Sequence, residues 1–190
     1  MDGKESARQA QVLETALTVF ARHGFRKTSI EDIAKAAGIS RQGIYLHFKN
    51  KDEIFSAAIQ KALDDGLRAA NQIFDDDRLT LEERLLKALD EWFGRHVGLF
   101  HPEASDLGAE CERLLGDAVG KSSSSFQKKL EKVILASSAR RTKGADKRAA
   151  IIANMLCACG LTWKHSFSSR EEFLEKMGDA IHLCCRDIGD

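Results

Sequence analysis

Proline is almost missing, with Pro102 the single one in 190 residues. Little therefore interrupts a backbone ladder, alternating β-branched runs are few, and apolar positions recur at helical spacing, which predicts an all-α protein. There is no basic stretch leading into an apolar one and no run of 18 apolar residues, so the chain reads as cytoplasmic, with neither signal peptide nor membrane partner. Net charge is absent as well: 29 basic residues balance 29 acidic ones, and the whole-molecule average exerts no pull toward nucleic acid. Catalytic signatures are missing too. Without an HExxH, a nucleotide-binding glycine loop or a paired-carboxylate motif, the chain is not expected to be an enzyme, and no cofactor or metal is expected.

The five cysteines, Cys111, Cys157, Cys159, Cys184 and Cys185, lie among helical apolar positions rather than in a loop-rich framework. An odd number leaves at least one unpaired within a chain, which fits a reducing compartment. Cys157 and Cys159, two apart on a helix, do not face each other. Small buried hydrophobes are one reading of these thiols, and a thiol- or metal-responsive regulator using Cys157, Cys159, Cys184, Cys185 and His182 is another.

Charge is unevenly spread. Residues 1–50 carry eight Lys or Arg against five Asp or Glu, leaving the remainder net acidic by three. A modestly basic end on an acidic body suits a DNA-binding head followed by a body that does not touch DNA. The head contains the stretch Thr28–Lys51. Ile30, Ile33, Ala34 and Ala37 have the spacing of a buried helix face, with Thr28 or Ser29 as cap, Thr28 with Glu31 forming the strict capping box, and Gly38 as the stop. Ser40 caps a second helix of about Arg41 to Phe48, pinned by Ile44 and Phe48. A helix that short, with Arg41 and Gln42 in its first turn and Tyr45 on the free side, has the width and donors to enter a major groove. A helical adaptor that turns the same head toward a protein is the competing reading.

About nine helices are expected. The first begins at about Ser6 and ends at His23-Gly24, with Phe25 packing back after the Gly24 cap. A fourth starts after Asn50 and runs to about Phe74, with Lys51 in its first turn as a phosphate clamp. A fifth is capped by Thr80 with Glu83 and includes Phe93 and Val97. Another runs from Pro102 to Leu115, and the next starts inside the serine run 122–125. The basic run 140–144 reads as a helix end. The last two helices, about 146–166 and 170–188, carry more apolar surface than one core needs, which implies a homodimer sealed by four helices. The domain boundary is placed between residues 50 and 51, with 1–50 as head and 51–190 as body.

Residues 12–58, VLETALTVFARHGFRKTSIEDIAKAAGISRQGIYLHFKNKDEIFSAA, resemble the N-terminal domain of the TetR family of transcriptional regulators. The likeness lies in the ALxxFxxxGF end of the first helix, TSIEDIAKAAGIS, GIYLHF and the NKDEI start of the fourth. It covers about a quarter of the chain in detail. The resemblance implies a three-helix head, a homodimer on a palindromic double-stranded DNA operator, and repression released by a small, largely apolar effector in the C-terminal bundle. It implies Arg41 and Gln42 facing bases, with Gly43 in the groove. Thr28, Ser29, Tyr45, His47 and Lys51 would meet the DNA backbone. Because Gly43 has no side chain to read a base, specificity should rest on its neighbours and on close backbone approach. The implied effector pocket is lined by Leu67, Trp92, Phe93, His96, Phe100, Phe126, Leu130, Met155 and Cys159.

Overall fold

A computed structural model describes residues 3–137, 144–186 and 188. Among these residues the chain forms nine α-helices and no strand: α1 (Gly3–His23), α2 (Ile30–Ala37), α3 (Arg41–Tyr45), α4 (Lys51–Phe74), α5 (Leu81–Trp92), α6 (Leu107–Leu115), α7 (Ala118–Ser137), α8 (Ala145–Ser166) and α9 (Arg170–Cys185). Two 3-10 turns, Gly94–His96 and Pro102–Ala104, lie between α5 and α6. No described helix is long and apolar enough to cross a membrane. The expected basic helix end at 140–143 lies outside the described residues.

Several boundaries differ from expectation. Helix α3 stops at Tyr45 because the N–H groups of His47 and Phe48 both bond the Ile44 carbonyl, at 2.9 and 3.0 Å, a tightened turn that carries Phe48 into the core. Phe93 and Val97 fall beyond α5, where the chain passes into the first 3-10 turn. The segment after His101 is a 3-10 turn and then a helix rather than one helix. Helix α7 begins at Ala118, so Gly120 and the whole serine run lie inside it. Phe126, Leu130, Val133 and Ile134 bury one stripe of α7 while Ser123, Ser124 and Ser125 face solvent, where short hydroxyls are tolerated.

The chain divides into two compact units, Met1–Asp64 with Leu99–Val119, and Asp65–Gly98 with Gly120–Asp190. From the sequence the boundary falls at residue 50. In the structure the first unit also takes in the start of α4 and all of α6.

In the first unit α1 packs on α2, and α2 on α3. Val12, Ala16 and Phe20 of α1, Ile33 and Ala34 of α2, Ile44 and Phe48 around α3, and Ile54, Phe55 and Ala58 of α4 share one core with Ala104 and Leu107. Phe20, Phe25 and Phe55 form its centre, with ring centroids 5.1 to 5.7 Å apart. Two of these contacts are edge-on, the arrangement that aromatic quadrupoles favour. Thus α3, too short to hold itself, is positioned by two buried anchors in a preformed aromatic core.

In the second unit α9 packs against both α5 and α8. Leu85, Leu89, Leu130, Ile134, Leu156 and Phe173 are fully buried there. Helix α8 buries Ala149, Ile152, Ala153, Leu156 and Gly160 on one side. Its other side leaves Ile151, Met155 and Leu161 about half exposed, and α9 leaves Leu183 at 69%.

Candidate nucleic-acid interface

Both helices of the Thr28–Lys51 element are closed by their own side chains. Ser29, not Thr28, caps α2: its Oγ accepts from Asp32 N at 3.2 Å, and the Asp32 carboxylate accepts from Ser29 N at 2.8 Å and Ser29 Oγ at 2.6 Å. These hydrogen bonds from Ser29 hold the Asp32 carboxyl below its ordinary range. Gly38 adopts φ 66°, ending α2 with Ile39 N bonded back to Ala34 O at 3.0 Å. Ser40 then caps α3 by accepting from Gly43 N at 3.1 Å.

With Ile44 and Phe48 buried on one side, the other side of α3 presents Arg41, Gln42, Tyr45 and Leu46. Arg41 Nη2 donates to Tyr45 Oη at 3.2 Å, its guanidinium 5.6 Å from the Tyr45 ring centroid, so the two extend as one unit. Leu46 is 83% exposed, an apolar contact suited to a thymine methyl. A Cβ built on Gly43 meets nothing closer than Ser40 Oγ at 3.4 Å, so the protein itself does not demand glycine there. Ser29 is exposed beside this face of α2 and α3, whereas His47 is half-buried with its ring 6.3 Å from that of Phe48.

Two residues expected at the DNA backbone are occupied elsewhere. Thr28 is only 2% exposed, and its hydroxyl donates to Gly24 O at 2.6 Å, because the turn after α1 needs its orphan carbonyl satisfied. Lys51 turns its ammonium onto the same turn, donating to Phe25 O at 2.8 Å, Thr28 O at 2.9 Å and, more weakly, Arg26 O at 3.5 Å, and lies 4.3 Å from the Phe25 ring centroid. All three of its donors are engaged.

The opposite polarity of that turn is held by a residue that sequence reasoning missed. Asp106 accepts from Phe25 N at 3.0 Å and Arg26 N at 2.8 Å. Its place before Leu107 marks it as a helix cap, but it makes no such bond, and only the fold brings it to residue 25. Around it Lys27 pairs with Glu103 at 3.1 Å, while buried Glu110 pairs with Arg113 at 2.6 Å and Arg26 at 3.6 Å. The α1–α2 turn is therefore gripped by an ammonium on its carbonyls and a carboxylate on its amides. That grip fixes where α2 begins.

Of the expected effector-lining residues, Trp92, Phe93 and Phe126 come together in the second unit. Trp92 stacks on Phe126 at 5.1 Å, and Phe93 meets it edge-on at 6.0 Å. Leu130 is fully buried, and Leu67, His96 and Cys159 are half-buried. Burial, with Arg95 and Lys164 adding to it, pushes the His96 imidazole down to about 4, so it is neutral at physiological pH. Met155 is 50% exposed on α8, and Phe100 packs against the core of the first unit, so the nine do not form one group.

The cysteines are all free thiols. Burial pushes Cys157 up to about 12 and Cys185 to about 11, and it raises Cys159 as well. A protonated thiol is a poor nucleophile and metal ligand. No group of three His, Cys, Asp or Glu able to hold a metal occurs among the described residues.

Residues 12–58 match the family model of bacterial regulatory proteins, tetR family. An uncharacterized HTH-type transcriptional regulator, YfiR of Bacillus subtilis (strain 168), is 48% identical over 61 residues, 32% of this chain and 30% of that protein. The HTH-type transcriptional repressor KstR2 of Rhodococcus jostii (strain RHA1) is 32% identical over 110 residues, 55% of this chain and 54% of the relative. The chain thus spans at most about half the length of these curated relatives. A TetR-like transcriptional regulator from Rhodococcus sp. RHA1 shares the fold with TM-score 0.67 and 24% identity over 94% of both chains. Residues 12–58 thus carry the helix-turn-helix region described by the model of bacterial regulatory proteins, tetR family, and the all-helical fold is shared with a TetR-like regulator across nearly the whole chain.

Proposed function

We propose that the chain is a transcriptional repressor, not an enzyme, that binds a palindromic operator as a homodimer and is released by a small, largely apolar effector. The observation that carries the DNA reading is the exposed side of α3. Arg41, Gln42 and Tyr45 are exposed there, on a helix capped at its start and pinned from behind by Ile44 and Phe48. Arg41 and Gln42 donate to base edges or phosphates, Gly43 lets the groove approach closely, and Ser29, Tyr45 and His47 meet the backbone. Thr28 and Lys51 serve the same interface by setting the turn that leads into α2. Repression is supported by the KstR2 relative, whose name describes a repressor.

The half-exposed apolar row of α8, with Leu183 of α9, supports pairing with a second copy through these two helices. The ring group of Trp92, Phe93 and Phe126 supports an apolar effector, which would enter by parting rings that now touch.

Binding to duplex DNA from upstream of the gene, measured across salt, tests the whole reading. A true reader weakens steeply with salt, prefers its operator over random duplex and loses affinity on Arg41→Ala. A salt-insensitive association indifferent to Arg41 would instead favour the protein adaptor. Sedimentation of an Ile151→Glu/Met155→Glu variant tests the dimer: an unchanged dimer refutes the α8 face. A panel of apolar and aromatic compounds tests the effector, and failure of every one to release the duplex counts against ligand control.

A further inference from the structure

A cleft of about 950 Å³ opens in the first unit between the second half of α1 and the outer side of α2. Arg22, His23, Lys27 and Lys35 line it, with Thr15 and with Thr18, whose hydroxyl donates to Glu14 O at 3.2 Å. Lys27 is paired with Glu103. The cleft's own acid, Asp32, is committed to Ser29, and Lys35 feels its charge without closing an ion pair. Arg22 and Lys35 are exposed and have no ion pair among the described residues. Two cations without ion pairs among the described residues, beside an imidazole, form a seat for an anion with several acceptor oxygens.

One wall of the cleft is α2, which also packs on α3. Lys35 lies one helical turn beyond Glu31, and Glu31 is within electrostatic reach of Arg41 on α3. A polyanion docked on α3 therefore continues past this wall, and the periodic phosphates of a duplex suit it better than a free acidic peptide with no second contact. We propose that the α1–α2 cleft seats a DNA backbone phosphate flanking the half-site read by α3, with Arg22 and Lys35 as its two cationic contacts. This rests on α3 reading duplex DNA, and it enlarges the footprint of each head beyond the recognition helix.

The test compares wild type, Arg22→Ala/Lys35→Ala and Arg41→Ala on two duplexes, one with long flanks and one trimmed to the edge of the half-sites, across a salt series. Both cleft residues are exposed, and matching thermal midpoints establish that the variant folds. The variant gives up one phosphate per head, two per homodimer, which lowers the salt slope by about 1.8 and weakens the long duplex by roughly tenfold. The trimmed duplex, already lacking the flanking phosphate, is held by wild type and the cleft variant alike. Arg41→Ala weakens both duplexes. If the cleft variant keeps the wild-type affinity and slope while Arg41→Ala still weakens binding, the cleft proposal falls and the α3 reading stands. Equal weakening on both duplexes overturns the flanking placement. Loss of poly-glutamate binding with DNA binding intact assigns the cleft to an acidic protein segment instead. A wild type indifferent to duplex DNA overturns both readings together.

Discussion

Replacing Gly43 by alanine should move stability and DNA binding in opposite directions. The added methyl meets Ser40 Oγ at 3.4 Å and Ile39 carbons at 3.8 Å, ordinary contacts that need no rearrangement. Gly43 sits in the middle of α3, where alanine is favoured over glycine by about 0.5–1 kcal/mol. For a chain of this size that gain raises the thermal midpoint by about 1–4 °C. On DNA the same methyl occupies space through which the groove approaches the backbone. Losing one close groove contact costs on the order of 1–3 kcal/mol, about 5- to 150-fold in affinity. Thermal unfolding and fluorescence anisotropy on an operator duplex read the two effects from one preparation. A variant that is more stable and binds as tightly as wild type would refute the assignment of Gly43 to the groove.

Lys51→Met keeps the stem but leaves the Phe25 and Thr28 carbonyls without their charged donor, so stability should fall by about 2–4 kcal/mol in denaturant unfolding. DNA binding should fall with it and not recover at low salt, whereas a lysine that met only phosphate would leave the unfolding midpoint unchanged. Gly160→Ala drives a Cβ into the Phe93 ring and should destabilise by about 1–3 kcal/mol, with the near-ultraviolet signal of the neighbouring Trp92 altered; an unperturbed signal would show that the rings give way freely. The folded-state pKa of Asp32 is depressed, so its capping contribution is complete above the ordinary carboxylate value of about 4 and is lost as pH falls through the lowered one. Helicity of the head should weaken in that acid window in wild type, and Asp32→Asn should flatten that part of the profile.

Local grammar made much of the head legible. Gly38 and Ser40 act on groups within four residues, and the Ile44 and Phe48 anchors follow from helical spacing, so sequence alone locates α2, the turn and the free side of α3. The choice between Thr28 and Ser29 as cap was not legible, because it depends on the Gly24 carbonyl claiming the Thr28 hydroxyl. Lys51 has the composition of a phosphate contact and the geometry of a turn clamp, a distinction set by a partner 26 residues away. In the body, apolar periodicity locates helices but does not distinguish rings that line a cavity from rings that fill it. Trp92 and Phe126 stack on one another, and that depends on packing between two helices far apart in sequence, α5 and α7.

The Asp106 grip also bears on how this head is made and how it can be moved. Phe25 leaves the ribosome some 81 residues ahead of the carboxylate that receives its amide. Until Asp106 has been synthesised, Lys51 is the one of these two charged groups available to fasten the turn between α1 and α2. The same separation limits modular engineering. A chimera joined at residue 50 would carry the reading helix but leave behind both Lys51 and Asp106. A portable head from this protein has to travel with residues 51–64 and 99–119, two pieces of chain that a simple N-terminal cassette discards.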